Sequence, residues 1–158
     1  MSCISKEEKA VILKIFLDKN TVFEISITAK KGITLAEKEL YFPQVCAYEP
    51  GKVQLYYLKA VLEADGRKID DFIDRVGFRE ITIEKNQIKW NGKPVVIKGY
   101  NRHEDHALFG NAIPPQAMDY DIRLILESGA NAVRTSHYPN DERFLDLCDE
   151  NGILVWEE

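Results

Sequence analysis

The chain has 158 residues, 45% hydrophobic and 30% charged, with 26 acidic against 21 basic side chains and a formal charge of −5. That is the composition of one ordinary globular domain or two small ones, not of a disordered chain. The acidic balance without any basic cluster argues against nucleic acid as a partner, and no apolar run is long enough to span a bilayer.

Three cysteines, Cys3, Cys46 and Cys148, are odd in number and widely spaced. They show neither metal-ligand spacing nor a disulfide framework, which predicts a reducing, cytoplasmic setting. "KEEKAVILKIFL" has acidic residues ahead of its apolar run and Lys14 inside it. That is wrong for a secretory leader.

Up to about residue 85 the pattern is that of strands. "AVILKIFLD" and "TVFEISITAK" are short β-branched runs with Lys-Asn turn residues between them. "KGITLAEKELYF" alternates loosely. "QLYYLKAVLEADGRKIDDFIDRVGF" reads as two strands about a hairpin, with Asp65-Gly66 at the turn. Short strands at this spacing predict an antiparallel sandwich. It is expected to be incomplete, with roughly five or six strands where a free-standing one has about seven.

Beyond residue 85 the rhythm becomes strand, helix, strand, helix, strand. "ITIEKNQIKWNGKPVVIKGY" opens with a hairpin around Asn91-Gly92 and ends in an apolar strand over residues 95–100. "PPQAMDYDIRLILESG" predicts a helix. Pro114 and Pro115 suit its start, Gly129 suits its end, and Met118, Ile122 and Ile125 share an inward face. "NAVRTSHY" supplies a second strand over residues 131–135. "NDERFLDLCDENG" predicts a second helix, capped by Asn140 or Asp141, with Phe144, Leu147 and Cys148 inward and Gly152 closing it. "ILVWEE" supplies a third strand over residues 153–156. The alternation implies parallel strands joined by right-handed crossovers. They form either a small open sheet or the first three strands of a larger closed barrel. Such a sheet needs buried faces and paired edges. The apolar edge "ILVW" therefore predicts self-association, or a partner chain, through the open sheet edge.

In parallel α/β architectures chemistry gathers at the C-terminal ends of strands. Here the first strand runs into "NRHEDH", the second into "RTSHYP" and the third into Glu157 and Glu158. All three histidines of the chain, His103, His106 and His137, lie in these loops. That clustering predicts a site.

The stretch "NAVRTSHYPNDERFLDLCDENGILVW" resembles the first signature of glycoside hydrolase family 2, the family of β-galactosidases and β-glucuronidases. The matching elements are Asn131, Arg134, two small residues, His137-Tyr138-Pro139, an apolar pair, an Asp, a Gly and an apolar strand. "NGKPVVIKGYNRHEDH" resembles the family's entry into its barrel, and "DGRKIDDFIDRVGFREI" the end of its immunoglobulin-like domain. One departure is visible: where the family often has Trp-Ser-Pro, this chain has "CAYEPGKVQLY".

The resemblance implies an α+β multidomain fragment. A partial immunoglobulin-like β-sandwich over residues 1–84 would be followed, over residues 85–158, by the first three strands and two helices of a (β/α)8 TIM barrel. It also implies retaining hydrolysis of terminal β-linked sugars, which needs two glutamates about 5–5.5 Å apart. In the family these follow the fourth and seventh barrel strands. Both are then expected beyond Glu158, along with most ligands of the divalent or monovalent metal that some members hold. The chain alone is expected to be inactive and to hold no cofactor. "NRHEDHALFG" and "SHYPND" resemble the β-galactosidase branch more than the β-glucuronidase one, so the expected partner is a β-galactoside or related carbohydrate. Two other readings stand beside this one: a non-catalytic carbohydrate-binding or subunit-association module, and one half of a split enzyme.

By the same resemblance His103 and His137 line the sugar pocket. An imidazole offers sugar hydroxyls a fixed donor without a long flexible stem. Arg134 would sit near the nucleophilic carboxylate and hold it ionised. Without that carboxylate it is expected to pair with Glu104 or Glu157, or to face water. Asn101 and Glu104 complete the substrate-binding set and order the first loop. His106 reads as solvated loop, and Tyr138 and Pro139 as fixing the turn. Glu104 with Glu157 or Glu158 imitates a pair of catalytic acids, but the resemblance assigns that chemistry elsewhere.

Overall fold

A computed structural model describes residues 2–158, with side chains from Ser5 onward. The expectation for Cys3 therefore lies outside the described side chains. The chain divides into two compact units.

The first unit comprises the residues up to Cys46 together with Leu55–Gly77. It contains six strands: β1 (Ser2–Ser5), β2 (Lys9–Leu17), β3 (Asn20–Ala29), β4 (Gly32–Leu35), β5 (Tyr56–Ala64) and β6 (Arg67–Val76). Four of them form an antiparallel sheet in the order β3-β2-β5-β6, and β1 pairs with β4. Turn chemistry sets the hairpins. Asp65 and Gly66 both take positive φ, 50° and 71°, which suits the two-residue turn whose twist matches that of the strands. The β2–β3 turn falls at Asp18-Lys19, one residue earlier than the Lys-Asn pair suggested. Asp18 takes φ 53°, and its carboxylate accepts from the Tyr57 backbone N–H at 2.9 Å, tying the turn to β5. Val11, Leu13, Ala29, Leu62 and Ala64 form the buried cluster of this unit.

The second unit comprises Ala47–Gln54 and Phe78–Glu158. Most of the stretch that departs from the family pattern thus packs here. Tyr48 is buried. Its hydroxyl donates to the Asp149 carbonyl at 2.9 Å. Its own carbonyl accepts from Trp90 Nε1 at 2.8 Å and Asn91 Nδ2 at 3.0 Å. Three short strands, β7 (Ile81–Glu84), β8 (Gln87–Trp90) and β9 (Lys93–Pro94), form an antiparallel meander. Its turns are Lys85-Asn86 and Asn91-Gly92, all four residues with positive φ. The first of these has no glycine, which is why the sequence pattern did not mark it.

The remaining elements are β10 (Gly99–Arg102), α1 (Pro115–Glu127), β11 (Ala132–Thr135), α2 (Glu142–Asn151) and β12 (Leu154–Glu157). The three strands are adjacent and parallel in the order β10-β11-β12, as the strand–helix rhythm predicts. The start of β10 differs from the expected residue 95. Asn131 Oδ1 accepts from Lys98 N at 2.8 Å, and Asn131 Nδ2 donates to the Val96 carbonyl at 2.9 Å. A side chain thus satisfies backbone groups that a strand ladder would otherwise pair. At Gly99 a Cβ would stand 2.4 Å from the Ala132 carbonyl oxygen, so only glycine fits this close approach.

Helix α1 starts after Pro114 and buries Met118, Ile122 and Ile125. Helix α2 is capped by Asp141, which accepts from Arg143 N at 2.8 Å, and is closed by Gly152 at φ 72°. Asn140, the other expected cap, is used differently. The helices and one sheet face enclose Ile113, Met118, Ile122, Val133, Phe144, Leu147, Cys148 and Ile153. Each such aliphatic or aromatic side chain contributes about 1.5–3 kcal/mol when fully buried. Among the described residues no helix is long and apolar enough to cross a membrane.

Candidate functional site

Side chains alternate across a strand, so the parallel register sorts the polar strand ends into two sets. Asn101, Arg134 and Trp156 are partners across the sheet, and so are Arg102, Thr135 and Glu157. The Arg102–Thr135 set lies on the helix-covered face, where Thr135 is fully buried and Arg102 nearly so. The Asn101–Arg134–Trp156 set lies on the other face. There a cleft of about 510 Å³ is bordered by Trp90, Ile97, Asn101, Arg134, Leu154 and Trp156.

On that open face Arg134 is the centre. Its Nε and Nη2 donate to Glu158 Oε1 at 3.1 and 2.7 Å. Its Nη1 donates to Asn101 Oδ1 at 3.3 Å and Ser136 Oγ at 3.4 Å. His137 Nδ1 lies 2.9 Å from Glu158 Oε2 and 3.2 Å from Arg134 Nη2. The guanidinium can only donate, so a proton on Nδ1 serves the carboxylate. His137 and Arg134, in that order, hold the Glu158 carboxyl below its ordinary range by stabilising its ionised form. His103 stands edge-on to His137, with ring centroids 5.7 Å apart at 74°. The Ser136–His137 peptide is cis.

Arg134 is expected to pair with Glu104 or Glu157, or to face water; the structure pairs it with Glu158 instead. Glu157 pairs in register with Thr135 and so belongs to the other face. Glu158 returns to the face of Trp156 and Arg134. Glu104 is held elsewhere: its Oε1 accepts from Asp141 N at 3.0 Å and lies 3.5 Å from Arg102 Nη1. Its backbone N–H donates to the Tyr138 hydroxyl at 2.9 Å.

Of the five residues selected from sequence, the structure brings Asn101, His103, Arg134 and His137 together, with Glu104 in a neighbouring network. Glu158 and Arg102 were missed as partners. Both become visible only once strand parity is known. His106 is half-buried, and its Nδ1 accepts from Leu108 N at 3.1 Å within its own loop. Among the described residues no three His, Cys, Asp or Glu side chains converge to hold a metal ion. The Cys148 thiol is pushed up to about 12, chiefly by burial, so it remains protonated and inert at neutral pH.

The open face thus offers imidazole, amide and guanidinium groups on a rigid strand-end rim, which suits hydroxyl-rich ligands. It does not offer two opposed free carboxylates. Glu104 is engaged by Arg102 and Asp141, and Glu158 by Arg134 and His137.

The comparisons with known proteins agree with this geometry. Residues 81–158 match the family model described as "Glycosyl hydrolases family 2, TIM barrel domain". A β-galactosidase of Pseudoalteromonas haloplanktis is 34% identical over 158 residues, covering 94% of this chain and 15% of that protein. A β-galactosidase of Photobacterium profundum is 40% identical over 99 residues, covering 63% of this chain and 10% of that protein. Among solved structures, a family 2 β-galacturonidase from Eisenbergiella tayi bound to galacturonate is 44% identical with a TM-score of 0.90, covering 98% of this chain and 28% of that chain. A Bacteroides uniformis β-glucuronidase is 26% identical with a TM-score of 0.83, covering 99% of this chain and 20% of that chain. The chain therefore corresponds to a minor segment of each relative. With the strand-end motif, the parallel βαβαβ unit and these matches, the chain belongs to glycoside hydrolase family 2.

Proposed function

We propose that this polypeptide supplies the substrate-binding rim of a retaining β-glycosidase acting on terminal galacto-configured sugars, β-galactosides first. In this reading residues 1–84 are the end of an immunoglobulin-like sandwich and residues 85–158 the opening of a TIM barrel. The observation that carries it is the convergence of Asn101, His103, Arg134 and His137 at one end of three parallel strands. This convergence lies inside the segment that matches the barrel domain. The imidazoles and the Asn101 amide would donate to and accept from sugar hydroxyls. Arg134 would keep a carboxylate ionised at the rim, the role it already plays for Glu158. A rim of this kind orients a sugar but contributes no proton donor and no nucleophile, so the chain by itself binds without turning over. The free thiols of Cys46 and Cys148 fit a reducing, cytoplasmic setting.

The test is nuclear magnetic resonance with the purified chain, titrated with galactose and assayed on nitrophenyl β-galactoside. Galactose should shift the ring signals of His103 and His137, His137→Ala should abolish the shift, and no turnover should be seen. Turnover that disappears in Glu158→Gln would overturn the reading and make a local carboxylate catalytic. One observation favours a second substrate: the 44% identical structure is of a β-galacturonidase. Galacturonate should then compete with galactose, and stronger perturbation by galacturonate would assign the carboxylated sugar.

A further inference from the structure

We propose that Arg102, on the helix-covered face of the sheet, is the positioning residue that sets the His103–His137 pair from behind. This inference rests on the reading of that pair as part of the sugar-binding rim.

Arg102 is only 8% exposed, and burying a guanidinium is costly unless its donors are met. Three elements engage two of its three nitrogens. Nε donates to Asp121 Oδ2 on α1 at 3.0 Å. Nη1 donates to Asn140 Oδ1, just before α2, at 2.7 Å, and lies 3.5 Å from Glu104 Oε1. The guanidinium carbon stands 3.8 Å from the centroid of the buried Phe144 ring, a stacked arrangement open to a planar cation. Among the described residues Nη2 has no hydrogen-bond partner.

The groups fixed this way flank both histidines. Arg102 and Glu104 bracket His103 in sequence. Glu104 reaches the second loop twice, through the Tyr138 hydroxyl and through Asp141 N. Asn140 Nδ2 donates to the Tyr138 carbonyl at 3.3 Å, one residue beyond His137. The Arg102 carbonyl accepts from Ser136 N at 2.9 Å, one residue before it. The two histidine loops therefore share one buried fork as their common support. A lysine at this position keeps the charge but has neither the fork nor the flat face.

The experiment is nuclear magnetic resonance of the full 158-residue chain, comparing the parent with Arg102→Lys. The parent should show a ring-to-ring cross-peak between His103 and His137. In Arg102→Lys the cross-peak should be lost and both ring signals displaced, while the core methyl signals of Ile122, Val133 and Leu147 stay in place. An unchanged cross-peak in Arg102→Lys overturns the proposal. If Arg102→Lys also disperses the core signals, Asn140→Ala decides by the same criterion. Loss of the core in both variants would make the network a folding element and overturn the proposal as well. The cross-peak does not depend on sugar. A parent that shows it but ignores galactose and galacturonate would refute the functional reading alone.

Discussion

The two faces of the β10-β11-β12 sheet are made by alternate residues of the same strands, yet they differ in almost every physical respect. The helix-covered face holds Val133 and Thr135 at 2% and 0% exposure, with Phe144, Leu147 and Cys148 packed above them. Its buried charged group, Arg102, is held by Asp121, Asn140 and Glu104. The open face carries an apolar cleft, an exposed Trp156 and a rim of polar side chains joined by partly exposed hydrogen bonds. One face is a packed core that dictates its own geometry. The other is a surface whose groups remain available to something else.

The sharpest way to break this contrast is to hollow the covered face. Phe144→Ala removes a fully buried ring and the surface on which Arg102 lies, and should cost about 3–5 kcal/mol. Urea unfolding followed by circular dichroism measures it. A loss below about 1 kcal/mol would mean that the two faces are not energetically distinct.

Gly99→Ala tests the closeness of β10 to β11. The added Cβ meets backbone rather than a movable side chain, with the Ala132 oxygen 2.4 Å away. The expected cost is about 1–3 kcal/mol, read from the same unfolding curves.

On the open face Glu158→Gln should change stability far less than either core substitution, because its ion pairs are partly exposed. The sign with pH follows from its depressed carboxyl. The folded state binds the proton more weakly than the unfolded one. The contribution is complete above the unfolded value, about 4.3, and is lost as the pH falls through the lower folded value. A stability difference between parent and variant that grew below pH 4 would contradict this.

The smallest effect on stability, within about 0.5 kcal/mol, is expected for Trp156→Lys, since Trp156 is 70% exposed. Its effect should be on association. Strand β12 is an edge of its sheet, and a charge there disfavours edge pairing. Sedimentation should show the parent associating at concentrations where the variant is monomeric. Equal behaviour would remove the open edge as an interaction surface.

Local chemistry determined much of this protein directly from sequence. The helix faces of Met118, Ile122 and Ile125, and of Phe144, Leu147 and Cys148, follow from a period of 3.6 residues. The closing glycines, Gly129 and Gly152, and the Asp65-Gly66 turn follow from a need for positive φ. The strand–helix alternation was enough for three parallel strands and for placing His103 and His137 at one end. What the sequence could not decide was which polar residues meet. Arg134 finds Glu158 rather than Glu157, and Arg102 finds Asp121 and Asn140. Each outcome depends on the register between strands far apart in the chain, and a shift of one residue would send every side chain to the opposite face. The start of β10 was equally hidden, because the Asn131 amide replaces ladder bonds from 33 and 35 residues away. Periodicity describes one element at a time, and only packing the elements together chooses the register that turns polar strand ends into one cluster on the open face and one support behind it.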